Sequence, residues 1–157
     1  MGTRENLDAD IAAHPFLLGL TEHHLRLLAD CAIRVAFEAD HVLFREGETA
    51  NRFYLIERGE VLLETDAVDG HTVVIDTIGN GDLLGWSWLF PPYAWRFTAR
   101  ASEATTAIFF YGTILREYCE KDHTLGYELL KRMSEVMTRR LQQARAKLVD
   151  ASASRTA

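Results

Sequence analysis

The densest chemistry in the sequence lies just after Gly85. Trp86, Trp88, Phe90, Tyr93, Trp95 and Phe97 fall within 12 residues, with Ser87 and Arg96 among them. Rings at this density can do three things. They can fill a core, offer flat surface for a planar ligand to stack on, or anchor a protein partner. Arg96 adds a cation that suits an anionic ligand. The candidate ligand residues are therefore Gly85, Trp86, Ser87, Trp88, Trp95 and Arg96.

Other reactive residue types carry less. Gly85-x-Ser87-x-Leu89 shares the first glycine and the serine of a nucleophile elbow, but it lacks the second glycine and the strand–helix setting. The histidines at 14, 23, 24, 41, 71 and 123 form no HExxH and no pair at metal-ligand spacing, so they read as surface residues. Cys31 and Cys119 make no CxxC and are too few for an iron–sulfur cluster, so they read as buried structural thiols. No catalytic residue, metal or cofactor is expected, and the chain reads as a non-enzyme.

Composition bounds what can hold these residues. At 157 residues and 48% hydrophobic, the chain supports one domain with a real core. It carries 23 acidic against 17 basic residues, a net charge of −6, which argues against a phosphate-binding nucleic-acid surface. No apolar run is long enough to cross a bilayer, and residues 1–6 have no signal-peptide character. The expectation is a cytoplasmic protein that makes no membrane contact.

The hydropathy period names the elements. A short helix over about Leu7–Ala13 and the turn His14-Pro15-Phe16-Leu17 precede a helix capped by Thr21 and ending near Cys31. From residue 33 the period becomes two, with Ile33, Val35 and Phe37 facing inward. Further β-rich runs follow at 41–45, 52–57, 60–66, 71–78, 95–101 and 104–111, separated by Gly-, Asn- and Asp-containing turns. Short strands at this spacing, without βαβ alternation, predict an antiparallel sandwich or barrel.

After Tyr111 the period returns to helical, giving a short helix to about Glu120 and a long one over about 123–148, capped by Asp122 or Thr124. Leu130, Met133, Met137, Leu141 and Ala144 form an apolar stripe on it. A helix about 25 residues long spans roughly 37 Å, more than a small β-domain can cover. The overhang predicts a parallel homodimer through this stripe. Lys131, Arg132, Arg139, Arg140, Arg145 and Lys147 form its solvated side. The reading is one domain over residues 1–149, with its β-rich part at about 33–111 and a disordered tail at 150–157.

This order of elements, with His14-Pro15-Phe16-Leu17, Phe44-x-Glu46-Gly47-Glu48, Phe53-Tyr54-Leu55-Ile56-x-x-Gly59-Glu60-Val61 and Gly81-Asp82-Leu83-Leu84-Gly85, resembles the cyclic-nucleotide-binding domain of the catabolite activator protein superfamily. The resemblance implies an antiparallel β-roll of the jelly-roll type followed by a short helix and a dimerisation helix. It places the ligand site in Gly81–Ala101, the phosphate-binding cassette, where a tight turn at Gly85 leads into a short helix whose free backbone N–H groups face an anion. In nucleotide-binding members a Glu after the Gly holds the ribose and a later Arg holds the cyclic phosphate. Here Trp86 stands at the Glu. Counting back from Ala99-Arg100-Ala101 puts Trp95 at the Arg, with Arg96 one place later, where a one-residue register change or a bulge in the following strand would bring it to the phosphate. The implied function is a ligand-sensing regulatory domain whose pocket departs from the cAMP/cGMP pattern and takes another small, flat or anionic ligand. The alternative is a ligand-free dimeric interaction module. A downstream protein is the implied partner, and no winged helix follows Leu148, so DNA binding by this chain alone is not expected.

Overall fold

The structure is a computed structural model that describes residues 4–156, with side chains placed from 6 to 154. Among the described residues four α-helices, one 3-10 turn and eight strands follow one another as α1 (Arg4–Ala13), a 3-10 turn (Pro15–Leu17), α2 (Glu22–Asp30), β1 (Ala32–Phe37), β2 (Val42–Phe44), β3 (Arg52–Arg58), β4 (Val61–Asp66), β5 (Thr72–Ile78), β6 (Leu83–Leu84), β7 (Thr98–Ala101), β8 (Thr105–Tyr111), α3 (Gly112–Lys121) and α4 (His123–Thr156). The strands form two four-stranded antiparallel sheets, ordered β1-β8-β3-β6 and β2-β7-β4-β5. The period-two runs predict such an antiparallel two-sheet architecture, and the resemblance implies its β-roll form.

Local chemistry sets the element ends. Thr21 Oγ1 accepts the His24 N–H at 3.2 Å, and Asp122 Oδ1 accepts the Leu125 N–H at 3.2 Å, so each satisfies an orphan donor of a helix start. Between β3 and β4 the chain turns at Gly59 with φ +121°. A Cβ there would lie 2.7 Å from Thr105 Cα and 2.8 Å from the Ala104 carbonyl, so only glycine fits.

Two apolar clusters share β3. Phe53 and Leu55 face the helices, packing with Ile11, Leu17, Leu28, Leu115, Leu129 and Met133. Tyr54 and Ile56 face between the sheets, with Phe44, Val61, Leu84, Trp95 and Phe97. Both faces of β3 are therefore buried, and its sequence reads as a continuous apolar run rather than an alternation.

Several expectations need correction. Ile33 on β1 is 44% exposed, not inward. His14 and His24 are buried rather than on the surface. Met133 is fully buried in this chain's own core, so it has no surface to offer a second copy. Arg132 and Arg140 are not on the solvated side of α4: their side chains are only 14% and 12% exposed, and they donate to the Leu18 and Leu83 carbonyls. The expected loose start at residues 1–6 lies partly outside the described residues, and residues 4–6 are helical. The segment 150–156, expected to be disordered, continues α4, while residue 157 lies outside the described residues.

Candidate functional site

The cassette does not form a helix. Gly85 adopts φ +96° and opens into turns, closed by Leu89 N–H to Trp86 O at 3.1 Å and Tyr93 N–H to Phe90 O at 2.9 Å. Pro91 and Pro92 explain the missing helix. Neither has an N–H to donate, and a residue before proline is pushed out of the α region, which removes Phe90 and Pro91 as helical positions. The anion-facing helix start implied by the resemblance is therefore not built. The second half of the cassette is instead pinned to residues 47–50. Trp95 N–H donates to Glu48 O at 2.9 Å, Gly47 N–H to Trp95 O at 2.8 Å and Ala50 N–H to Tyr93 O at 2.6 Å.

The three tryptophans go to three places. Trp95 points into the roll interior and is 2% exposed. Its indole stacks on Phe44 with centroids 3.7 Å apart and planes 12° from parallel. The far edge of the same ring covers Gly85, where an added Cβ would come within 2.8 Å of Cζ3. Trp88 points the other way, fully buried in the helix-side core and stacked on Phe53 at 5.2 Å. The indole nitrogens of both are buried without a hydrogen-bond partner among the described residues. Trp86 is half-buried, and the Arg140 guanidinium of α4 lies 5.1 Å from its ring centroid.

The six residues expected to share one ligand site are thus divided. Trp86, Ser87 and Arg96 line one cleft of about 360 Å3, closed by Met137 of α4. Gly85 and Trp95 belong to the roll interior. Trp88 belongs to the core beneath the helices. The alternation Trp95 in, Arg96 out, Phe97 in follows the strand period and leaves Arg96 exposed.

Two cations near the site were not evident from spacing. Arg52 sits about 6 Å from the rings of Phe44, Tyr54 and Trp95, and its donors are taken by Tyr54 Oη, Asn51 Oδ1 and Leu43 O. Arg140 faces Trp86 with its Nη1 buried and unpartnered among the described residues, and Asp76 is 4.0 Å from its Nε. Burial lowers the Arg140 pKa from its usual value, and nearby Asp76 and Asp82 offset part of that. Nothing in the helical period separates Arg140 from the solvated arginines beside it, so only the fold could single it out. Of the two thiols expected to be buried, Cys31 is and Cys119 is only half-buried; each is pushed up to about 11, chiefly by burial. Among the described residues no group of His, Cys, Asp and Glu could hold a metal ion, and no helix is long and apolar enough to cross a membrane.

Residues 34–122 match the family model for the cyclic nucleotide-binding domain. The chain is 30% identical over 121 residues to the CRP-like cAMP-activated global transcriptional regulator of Mycobacterium tuberculosis, which takes in 74% of this chain and 50% of that one. It therefore spans about half the length of that relative. A stretch of 71 residues is 32% identical to the cAMP-dependent protein kinase regulatory subunit of Schizosaccharomyces pombe, covering 45% of this chain and 16% of that one. Among solved structures, a candidate cyclic nucleotide-binding protein of Geobacter metallireducens superposes with TM-score 0.75 at 27% identity, over 90% of this chain and 99% of the other. The catabolite activator protein of Thermus thermophilus shares the fold at TM-score 0.68 and 21% identity, over 88% and 63% of the two chains. The two curated relatives are a transcriptional regulator and a kinase regulatory subunit. With its two-sheet roll, its glycine turns and the matched segment in agreement, this chain belongs to the cyclic nucleotide-binding domain family.

Proposed function

We propose that the chain is a regulatory, non-catalytic domain of this family that does not hold cAMP or cGMP tightly. The observation that carries the reading is the Trp95 indole, packed between Phe44 and Gly85 inside the roll. Three further features support it. Trp86 stands where family members place the ribose carboxylate, no cassette helix faces an anion, and Arg96 points away from the interior. Hydrogen bonds to charged groups contribute about 1.5–3 kcal/mol each, so losing the sugar and phosphate contacts together costs roughly a hundredfold or more in affinity.

Thermal unfolding in the presence of millimolar cAMP or cGMP tests this. A ligand at a hundredfold excess over its Kd stabilises by about 2.7 kcal/mol. We expect no shift in Tm. A rise of more than about 5 °C with either nucleotide overturns the proposal.

Assembly is the second part of the reading. Every residue from 141 to 154 is exposed, so the C-terminal part of α4 presents its side chains to solvent. Leu141 at 68% and Leu148 at 72% exposure share a face with Ala144, and Leu130 at 43% continues it toward the roll. A helical segment draws most of its stability from packing, and a second copy of α4 supplies it. The domain acts in the cytoplasm as a homodimer that passes its state to a downstream protein. The filled roll interior also favours a second reading, a ligand-free interaction module on the same dimer.

A further inference from the structure

The cleft between the cassette and α4 has the parts of a small-molecule site, and we infer that it binds a planar aromatic carboxylate. The inference rests on the proposed function, in which the ligand is not a cyclic nucleotide, and it moves the site from the roll interior to the α4 side of the cassette. At about 360 Å3 the cleft sits at the small end of ligand pockets, enough for one or two fused rings. Trp86, Phe90 and Met137 give it apolar walls, while Ser87 and Arg96 are its only hydroxyl and its only charge. No carboxylate among the described residues lines it, so none of them there would receive the hydroxyls of a sugar.

Two independent observations point to an anionic ring. The first is Trp86. The Arg140 guanidinium sits 5.1 Å from its centroid, largely shut from solvent, with Nη1 unpartnered and a carboxylate no closer than Asp76 at 4.0 Å. A cation poorly compensated in this way draws the π-electrons of the indole toward itself. The ring is then a better stacking platform for an electron-rich, negatively charged aromatic system. The second is Arg96. Its guanidinium is exposed, lines the cleft, and makes no hydrogen bond or ion pair with any described residue. A planar fork of donors matches the two oxygens of a carboxylate, and the Ser87 hydroxyl can serve the same group. An occupant would touch the cassette through Trp86 and α4 through Met137, so binding would be felt by the helix that carries the proposed dimer contact.

Calorimetric titration of the full chain with naphthoate, its neutral amide and cAMP tests this. Naphthoate should saturate one site per chain with a Kd below about 1 mM, in the range for a fragment of its size. Naphthamide should bind at least about tenfold more weakly, the ratio that loss of one charge-assisted hydrogen bond gives. Arg96→Gln, at an exposed position that folding does not depend on, should bring acid and amide to equal affinity, while Trp86→Leu should weaken both. Absence of saturable naphthoate binding, or equal binding of acid and amide by the native chain, overturns the inference and leaves the proposed function standing. Tight cAMP binding that leaves naphthoate in place overturns the proposed function alone. Tight cAMP binding that displaces naphthoate overturns both.

Discussion

In the proposed reading Trp95 occupies the space that a cyclic nucleotide would need, and removing it should be costly. Trp95→Ala would empty a large, 2% exposed site walled by Phe44 and the Gly85 backbone. Truncating a buried aromatic costs about 3–5 kcal/mol. Urea denaturation should therefore show a lower midpoint with an unchanged slope, and a loss below about 1 kcal/mol would mean the ring is not packed as described. His14 gives a second prediction at this scale. Its Nε2 lies 3.1 Å from the Ile56 carbonyl, and its Nδ1 accepts the Phe16 N–H at 3.2 Å, an arrangement that requires the neutral ring. Burial lowers its pKa from the usual value, outweighing the Ile56 hydrogen bond, which acts the other way. With the folded pKa depressed, the unfolded chain takes up the proton first as pH falls. The stabilisation is complete above the unfolded value of about 6.5 and is lost as pH drops through the folded one. Stability should fall between pH 7.5 and 5.5. His14→Gln, which can keep both hydrogen bonds without titrating, should flatten that part of the profile. Identical profiles for the two proteins would contradict the assignment. At this scale the sequence was partly legible: the alternation that sends Trp95 in and Arg96 out follows from strand period, whereas the parting of Trp86 from Trp88 depends on the turn at Gly85 and the two prolines.

At the level of elements the strands and helices follow the periods closely, because β-rich runs and turn residues carry local information. The sequence predicts strands within 41–45 and 71–78, and β2 and β5 fall there. The two-residue strand β6 was not foreseen, since pairing of Leu83 and Leu84 with Leu55 and Tyr54 is a long-range event without a local pattern. The cassette helix was expected and is absent. α4 was expected to stop near 148, where small and polar residues begin, yet it runs through Thr156, making 34 residues and about 51 Å. Alanine and serine in its last turns are compatible with a helix, and nothing in them forces an end. That length makes the assembly prediction sharper. Leu141→Glu combined with Leu148→Glu places like charges on the face offered to a second copy, at a cost of several kcal/mol if that face is buried. Light scattering coupled to size exclusion should give a dimer for the native chain at tens of micromolar and a monomer for the double variant. A native monomer would remove the dimer from the account.

For the whole molecule, the family and its fold were legible because the turn glycines and strand spacing survive in the sequence. What the site does was less so. Six residues from one short stretch of sequence scatter to a roll interior, a helix-side core and an outer cleft. Which one each joins is decided by backbone torsions and by α4, which arrives from more than 30 residues away. Arg140 makes the same point. It bridges α4 to the Leu83 carbonyl and the Trp86 ring, linking the cassette to the proposed dimer helix through a contact between distant segments. The central claim remains that the roll, though built on the family's plan, is closed to the family's ligand by its own side chains. The most direct test is calorimetric titration of cAMP into the native chain at moderate salt. The account predicts heats at the level of dilution up to millimolar nucleotide. Saturable binding with a Kd below about 10 μM, a free energy near −7 kcal/mol, would contradict it.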